Sequence, residues 1–197
     1  YSIAVDLTGV IVERLSGMGL DEYLQTHIFE PLGMVDTFFE VPKQKMNRFL
    51  PNHYYDYGEK SLKTVQETKE KYNAMSNYED VSMFSGGGGL VSTAMDYMLF
   101  MEALQNGGSL NGNRILGPKT LQYMIRNHLS GSIEQKGGAG ENPLDEASNN
   151  GFGFGLGFGL VTNSVNNSII GSEGEYNWGG AAGTVFWIDP VENISVV

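Results

Sequence analysis

Residues 151–161 read GFGFGLGFGLV, with glycine at every second position and a large apolar residue after each. Because the side chains of a strand point alternately to its two faces, this pattern predicts a β-strand with one bare face. A helix or another stretch of backbone can lie very close to such a face. Residues 167–172 and 183–197 also read as strands, and Asp189-Pro190 with Glu192-Asn193 supplies a hairpin turn in the second.

The earlier part of the chain has helical spacing instead. Apolar residues recur every three or four positions from Ser2 to Ser16, where Ser2 is a fair N-cap and Gly17 provides a stop. Further helices are predicted from Asp21 to Phe29, between Thr93 and Gly107, and over 118–127, with Pro31 and Gly33 expected to end the first of these. Helices followed by strands predict an α/β (α+β) fold with an antiparallel sheet flanked by helices.

Two segments interrupt these patterns. Residues 38–85 are polar and rich in Tyr, Lys and Glu, which predicts a solvated excursion rather than core. The alternative is a lid over a ligand site, suggested by its tyrosines. Glycines 86–89 predict a close backbone crossing, since no Gly-Lys-Ser/Thr follows them as a phosphate loop would require.

Composition excludes several classes of partner. Lys and Arg number 12 against 23 Asp and Glu, a net charge of −11, which argues against nucleic acid or an anionic membrane surface. There is no run of 18 apolar residues that could span a membrane. The chain has no cysteine, and its three histidines lack metal-ligand spacing, so we expect no metal and no other cofactor.

The two ends suggest a piece of a larger fold. Tyr1 runs directly into the first helix and the chain stops inside a predicted strand. We therefore expect a fragment that lacks an N-terminal part and the last C-terminal elements. On this interpretation residues 1–197 are part of a single catalytic domain. Its division is a mainly helical region over 1–85, including the excursion, and a region of helices and antiparallel strands over 86–197.

Few residues in the chain point to chemistry on their own. The sequence contains no Gly-x-Ser-x-Gly and no Ser-x-x-Lys. Tyr1 could be a general base if a cation lowered its pKa, or merely an aromatic anchor at a helix start. In YNWGGAAGTVFWIDP, over 176–190, small residues stand beside large ones. This backbone is either a tight structural crossing or a set of N–H groups that face a ligand.

Taken together, the segments resemble a known family. Four stretches after the first helix-rich segment (1–34) occur in the family's order: 86–108, 114–124, 151–160 and 175–190. They are similar to serine hydrolases of the β-lactamase/penicillin-binding-protein superfamily, in particular class C β-lactamases and family VIII carboxylesterases. The resemblance covers about 1–37 and 84–197. It implies a β-lactamase/transpeptidase-like fold, with an active site between the sheet region and the helical region.

The resemblance also implies roles for individual residues. An acyl-enzyme forms on the serine of a Ser-x-x-Lys motif, which would lie on a segment before residue 1. Tyr1 would stand for the tyrosine of Tyr-x-Asn and help to move the proton, with Ile3 in place of the asparagine. Trp178-Gly179-Gly180 would stand for Lys-Thr-Gly at the edge of the sheet, and the N–H of Ala181 would form half of the oxyanion hole.

The departures from these motifs indicate the substrate. Ile3 cannot hydrogen-bond an amide, and Trp178 with Gly179 offers neither the ammonium nor the hydroxyl that a substrate carboxylate would need. Losing such a charged hydrogen bond costs about 1.5–3 kcal/mol. Trp178 provides an apolar wall instead. We therefore expect a carboxylesterase that acts on small esters, with homo-oligomer formation possible in principle.

Two alternatives remain open. Within the enzymes, the protein could be a β-lactamase or a D-alanyl-D-alanine carboxypeptidase. From another class, it could be a non-catalytic member that binds a peptide or forms a scaffold. The missing segment would discriminate, since a serine without its lysine favours the scaffold. This chain alone is expected to be inactive because it carries no Ser-x-x-Lys.

Overall fold

The computed structural model describes residues 3–64, 78–128, 151–167, 170–180 and 182–197. Tyr1 and Ala181 lie outside these ranges, as does the middle of the polar excursion. The chain divides into two compact units, Tyr1–Asp96 and Tyr97–Val197.

The first unit is mainly helical. Its elements are α1 (Ala4–Ser16), α2 (Leu20–Leu24), a π turn (Gln25–Phe29), α3 (Glu30–Leu32), a 3₁₀ helix (Lys43–Arg48), β1 (His53–Asp56) and β2 (Ser61–Thr64). The predicted stop of α1 is confirmed, because Gly17 adopts a left-handed φ of 72° and donates its N–H to the carbonyl of Glu13. The N-terminal cap is Ile3 rather than Ser2.

The second helical stretch runs through Pro31, contrary to the prediction that this proline helps to end it. Helical turns continue from Leu20 to Leu32, and only Gly33, with a φ of 75°, closes them. A proline ring normally clashes with the carbonyl four residues earlier and leaves that carbonyl without its donor. The π turn over Gln25–Phe29 ends two residues before Pro31, so Pro31 lies in the first turn of α3, where its missing N–H is not needed.

The glycine run 86–89 is a close backbone crossing, as predicted. A Cβ atom on Gly86 would lie 2.6 Å from the carbonyl oxygen of Val5 and 3.4 Å from the nitrogen of Gly9, both in α1. Asp6 fixes this crossing, since its Oδ1 accepts hydrogen bonds from Ser85 Oγ at 2.5 Å and from the N–H of Gly87 at 3.3 Å. Glycine is required here because two backbones touch.

The prediction that residues 38–85 lie outside the core is wrong for the start of that segment. Phe39 and Val41 are 3% and 5% exposed, and Phe38 forms an antiparallel bridge with Val91. A Cβ atom on Gly89 would meet the ring of Phe39 at 2.9 Å. The segment as a whole is polar, and its average composition outweighed the few apolar residues at 38–41.

The second unit is a sheet with helices, and α4 enters it from the first unit. Its elements are α4 (Ala94–Gln105), β3 (Ser109–Leu110), β4 (Asn113–Arg114), α5 (Pro118–Met124), β5 (Phe152–Phe154), β6 (Gly159–Val161), α6 (Ser164–Asn167), β7 (Tyr176–Gly179), β8 (Val185–Asp189) and β9 (Ile194–Val196). In the described residues β5 to β9 form an antiparallel sheet in sequential order. The β8–β9 hairpin is the one predicted over 183–197.

Residues 151–161 form a hairpin, not the single strand that was predicted. Phe154 pairs with Gly159, and Gly157 adopts a φ of 99° in the turn between β5 and β6. Strict alternation cannot distinguish one long strand from two short ones when glycine permits a turn inside it. The predicted strand at 167–172 is also wrong within the described residues, since Asn167 ends α6 and Gly171 is irregular.

One hydrophobic core holds the second unit together. It joins the inner faces of α4 and α5 to the sheet through Met101, Leu104, Leu121, Phe158, Leu160, Tyr176, Phe186 and Ile188. Tyr176 and Ile188 are cross-strand partners and are 1% and 0% exposed. Burying a large apolar side chain of this kind contributes about 1.5–3 kcal/mol. None of the helices in the described part of the chain is long and apolar enough to cross a membrane.

Candidate active site

The candidate site begins where strand β7 outruns its neighbour β6. On one side β7 pairs with β8 along its whole length, from Tyr176 opposite Ile188 to Gly179 opposite Val185. On the other side its pairing with β6 stops at Asn177, opposite Gly159. Among the described residues, β6 therefore supplies no partner for the end of β7 at Gly179.

The hydrogen bonds around Gly180 show which way the backbone faces. Its N–H donates to the carbonyl of Thr184 at 2.8 Å, and its carbonyl accepts from the N–H of Gly183 at 3.0 Å. Both groups of Gly180 are thus turned toward the β8 side. Successive residues of an antiparallel ladder turn their backbone groups to opposite sides. The N–H and carbonyl of Gly179 therefore face the open edge.

The two glycines of this stretch are small for different reasons. A Cβ atom on Gly180 would collide with Thr184 Oγ1, the end of an exposed side chain that would have to rotate away. At Gly179 the nearest described atom to a Cβ would be the carbonyl oxygen of Thr184, at an ordinary 3.6 Å. Gly180 thus lies close to the Thr184 hydroxyl, whereas Gly179 has only an ordinary contact beside it at the open edge.

Trp178 places a large aromatic surface beside that edge. Its side chain is 38% exposed, and its ring meets the ring of Phe154 edge to face, with centroids 5.1 Å apart and planes at 77°. A Cβ atom on Gly159 would lie 3.7 Å from the indole, so the indole rests against bare backbone. The arrangement gives Gly179 an apolar neighbour and no charged one from Trp178.

Two carboxylates lie near these strands, Asp189 at the end of β8 and Glu175 just before β7. Although burial opposes it, hydrogen bonds from Glu192, Ser172 and Val191 lower the pKa of Asp189, which closes the β8–β9 turn. Burial, and then the charge of Asp189, raises the pKa of Glu175. Glu175 is therefore easier to protonate than an exposed glutamate.

Ile3 lies in the first unit, and Trp178, Gly179 and Gly180 lie in the second. Ile3 is 74% exposed at the start of α1, and its carbonyl accepts a hydrogen bond from the N–H of Leu7 at 3.0 Å. Its side chain has no polar atom to offer a ligand. Tyr1 and Ala181, the residues predicted for proton transfer and for the oxyanion hole, lie outside the described residues.

Sequence reasoning missed Phe154 as a neighbour of Trp178. The missed signal is Gly155-Leu156-Gly157, where two glycines around one residue allow the chain to turn. A hairpin at that point would have brought β5 next to β6 and close to β7.

Known proteins resemble this chain over its whole length. The family model described as Beta-lactamase matches residues 1–197. The chain belongs to the beta-lactamase family. The predicted membership of the β-lactamase/penicillin-binding-protein superfamily of serine hydrolases is thereby confirmed.

Two relatives of this beta-lactamase-family chain match it over nearly all of its residues. Protein Rv1367c of Mycobacterium tuberculosis is 30% identical over 195 residues, which cover 96% of this chain and 45% of the relative. Esterase EstB of Burkholderia gladioli is 26% identical over 206 residues, covering 100% of this chain and 48% of the esterase. The chain thus spans about half the length of the relatives it matches.

Solved structures share the fold. EstCE1, described as a hydrolase with promiscuous acyltransferase activity, superposes with a TM-score of 0.77 at 22% identity, over 99% of this chain and 49% of EstCE1. The octameric penicillin-binding protein homologue from Pyrococcus abyssi has a TM-score of 0.62 at 19% identity, over 95% of this chain and 34% of the homologue. The predicted β-lactamase/transpeptidase-like fold, an antiparallel sheet with helices, is confirmed.

Proposed function

We propose that the protein containing this chain is a serine carboxylesterase that acts on small, short-chain esters through an acyl-enzyme. The observation that carries this proposal is the pairing of an open backbone edge at Gly179 with the apolar ring of Trp178. In the motif Lys-Thr-Gly these positions would hold an ammonium and a hydroxyl. Here they favour a neutral ester over a substrate that carries a carboxylate.

In the proposed reaction a serine oxygen attacks the ester carbonyl, and the alcohol leaves with a proton. The serine and its lysine belong to a segment outside this chain, which has no Ser-x-x-Lys. Tyr1 passes the proton from the serine to the leaving oxygen, and water then releases the acid. The N–H of Ala181 holds the negative carbonyl oxygen. In support of this role, hydrogen bonds to Thr184 and Gly183 fix Gly180, the residue before Ala181.

An ester is preferred over a β-lactam because the site lacks hydrogen-bond partners for the carboxylate that a β-lactam carries. A carboxylate placed along β7 would find an indole at Trp178 and no side chain at Gly179. Each lost hydrogen bond to a charged group costs about 1.5–3 kcal/mol, a factor of ten or more. Ile3 likewise offers an amide substrate no hydrogen bond. We further propose that residues 1–197 are part of one catalytic domain, and that the ester is the partner of this site.

A comparison of two substrates tests the proposal. The protein that includes the serine-bearing segment should hydrolyse p-nitrophenyl butyrate with a higher kcat/KM than a chromogenic cephalosporin. Restoring the motif with Trp178→Lys and Gly179→Thr should shift the ratio toward the cephalosporin about tenfold or more. Trp187→Phe, at the other tryptophan, is the matched control and should leave the ratio unchanged.

The outcomes separate the candidate functions. Faster cephalosporin turnover by the natural protein would favour a β-lactamase, and release of D-alanine from a peptide would favour a carboxypeptidase. Failure of a fluorophosphonate to add one adduct to the intact protein would favour a non-catalytic scaffold. An oligomer would be recognised by its mass in solution, independently of activity.

A further inference from the structure

The backbone of Phe154 is held in place by hydrogen bonds with the segment after α5. Its N–H donates to Asn127 Oδ1 at 3.1 Å, and its carbonyl accepts from the N–H of His128 at 2.9 Å. The next turn is tied to the same helix, since the N–H of Leu156 donates to the carbonyl of Met124 at 2.8 Å. The backbone is thus fixed at Phe154, the end of β5, and again at Leu156 in the turn that follows.

The two phenylalanines around the β5–β6 turn have different surroundings. Phe158 packs in the core, with its ring edge to face against Tyr176 at 5.2 Å and near Phe186 at 6.2 Å. Phe154 is only half-buried and meets Trp178 instead. Edge-to-face pairs of this kind contribute beyond their buried area and fix the relative orientation of the two rings. The contact therefore orients an indole that is still partly open to solvent.

We propose that Phe154 is a positioning residue which holds the indole of Trp178 as the wall for a hydrocarbon chain of the substrate. This inference rests on the proposed esterase function and specifies its substrate class: esters whose apolar chain lies on the indole beside Gly179. The substrate's hydrocarbon chain can belong to the acid or to the alcohol part of the ester, because both parts flank the carbonyl that reaches the open edge. The fixed indole sets the preference for chain length.

The test compares Phe154→Leu with Phe152→Leu in the protein that includes the serine-bearing segment. Phe152 is two residues away on β5 and is also half-buried, which makes it a matched control. Each methylene that rests on an apolar surface is worth about fourfold in binding. Phe154→Leu should lower the octanoyl-to-acetyl ratio of kcat/KM for p-nitrophenyl esters, or the octyl-to-ethyl ratio for acetates, about tenfold, mainly through KM.

The p-nitrophenyl ester series and the acetate series together show whether the hydrocarbon chain that lies on the indole belongs to the acyl or to the alcohol part of the substrate. An unchanged ratio in both series would overturn the inference while leaving the esterase function intact. Absence of turnover with every ester would instead count against the proposed function. In that case the positioning role is still judged by the fluorescence change on addition of 1-octanol that depends on Trp178, measured as the difference between each protein and the same protein carrying Trp178→Phe. Phe154→Leu should abolish the octanol response and Phe152→Leu should retain it; equal responses would overturn the inference.

Discussion

Gly86 lies against Val5 of α1, so closely that a Cβ atom on Gly86 would stand 2.6 Å from the Val5 carbonyl oxygen. The obstructing atom belongs to a helix backbone and cannot rotate away as a side chain would. Asp6 reinforces the same crossing through Ser85 and Gly87. The glycine run thus holds α1, the helix that follows the predicted proton-transfer residue Tyr1.

Gly86→Ala should therefore destabilise the fold by about 1–3 kcal/mol, the usual range for overpacking. Gly88 is the matched control, because in the described part of the chain no heavy atom beyond its two sequence neighbours lies within 4 Å of the Cβ that an alanine would add there. Gly88→Ala should change stability by less than about 1 kcal/mol. Urea denaturation of both variants measures this, and equal midpoints would show that the crossing can open without cost.

An acid-sensitive ion pair links Asp36 to the 3₁₀ helix. Its carboxylate lies 2.7 Å from Lys45 Nζ and 2.8 Å from Arg48 Nη2, and these hydrogen bonds, Arg48 first, lower the pKa of Asp36 to about 2. Its unfolded pKa is about 4. The contribution to stability is therefore complete above pH 4 and is lost as the pH falls through 2.

Asp36→Asn should accordingly reduce the thermal midpoint at pH 5, and the difference from the natural protein should shrink toward pH 2. Added salt should also shrink it at pH 5, because the pair is near the surface and is screened. Thermal scans across this range provide the measurement. A difference that stays constant from pH 5 to pH 2 would contradict the assigned pKa.

Tyr176 gives the second unit an alkaline limit. Burial of its side chain raises the pKa of the hydroxyl to about 12, against about 10 when unfolded. The stabilisation is complete below pH 10 and is lost as the pH rises through 12. Tyr176→Phe cannot ionise and should lose less stability between pH 8 and pH 11 than the natural protein. Tyr123→Phe, at an exposed tyrosine, is the control and should follow the natural curve.

Gly179→Ala should separate folding from activity. Its Cβ atom would meet only an ordinary contact of 3.6 Å, so stability should change by less than about 1 kcal/mol. If the ester approaches the open edge, kcat/KM should fall about tenfold or more, since a methyl group would occupy that space. Gly180→Ala should lose more stability than Gly179→Ala, because its Cβ atom displaces the Thr184 hydroxyl. Full esterase activity in Gly179→Ala would place the substrate elsewhere.

The sequence alone determined those features that depend on nearby residues. Gly17 and Gly33 end helices because only glycine adopts a left-handed φ without cost, and this is visible wherever glycine follows helical spacing. The β8–β9 hairpin follows likewise from its turn residues. The order of the motifs along the chain indicated the family, and membership of the family implied the fold.

Tertiary structure decided the features that depend on distant partners. Residues 151–161 could be one strand or two, and the antiparallel pairing of β5 with β6 makes them two. The burial of Phe39 depends on Gly89, and the contact between Phe154 and Trp178 joins residues 24 positions apart in the chain. Local spacing specifies which way a side chain points, but not which strand stops short beside it. The open edge at Gly179 exists because β6 ends its pairing with β7 at Asn177, and that is a property of the assembled sheet.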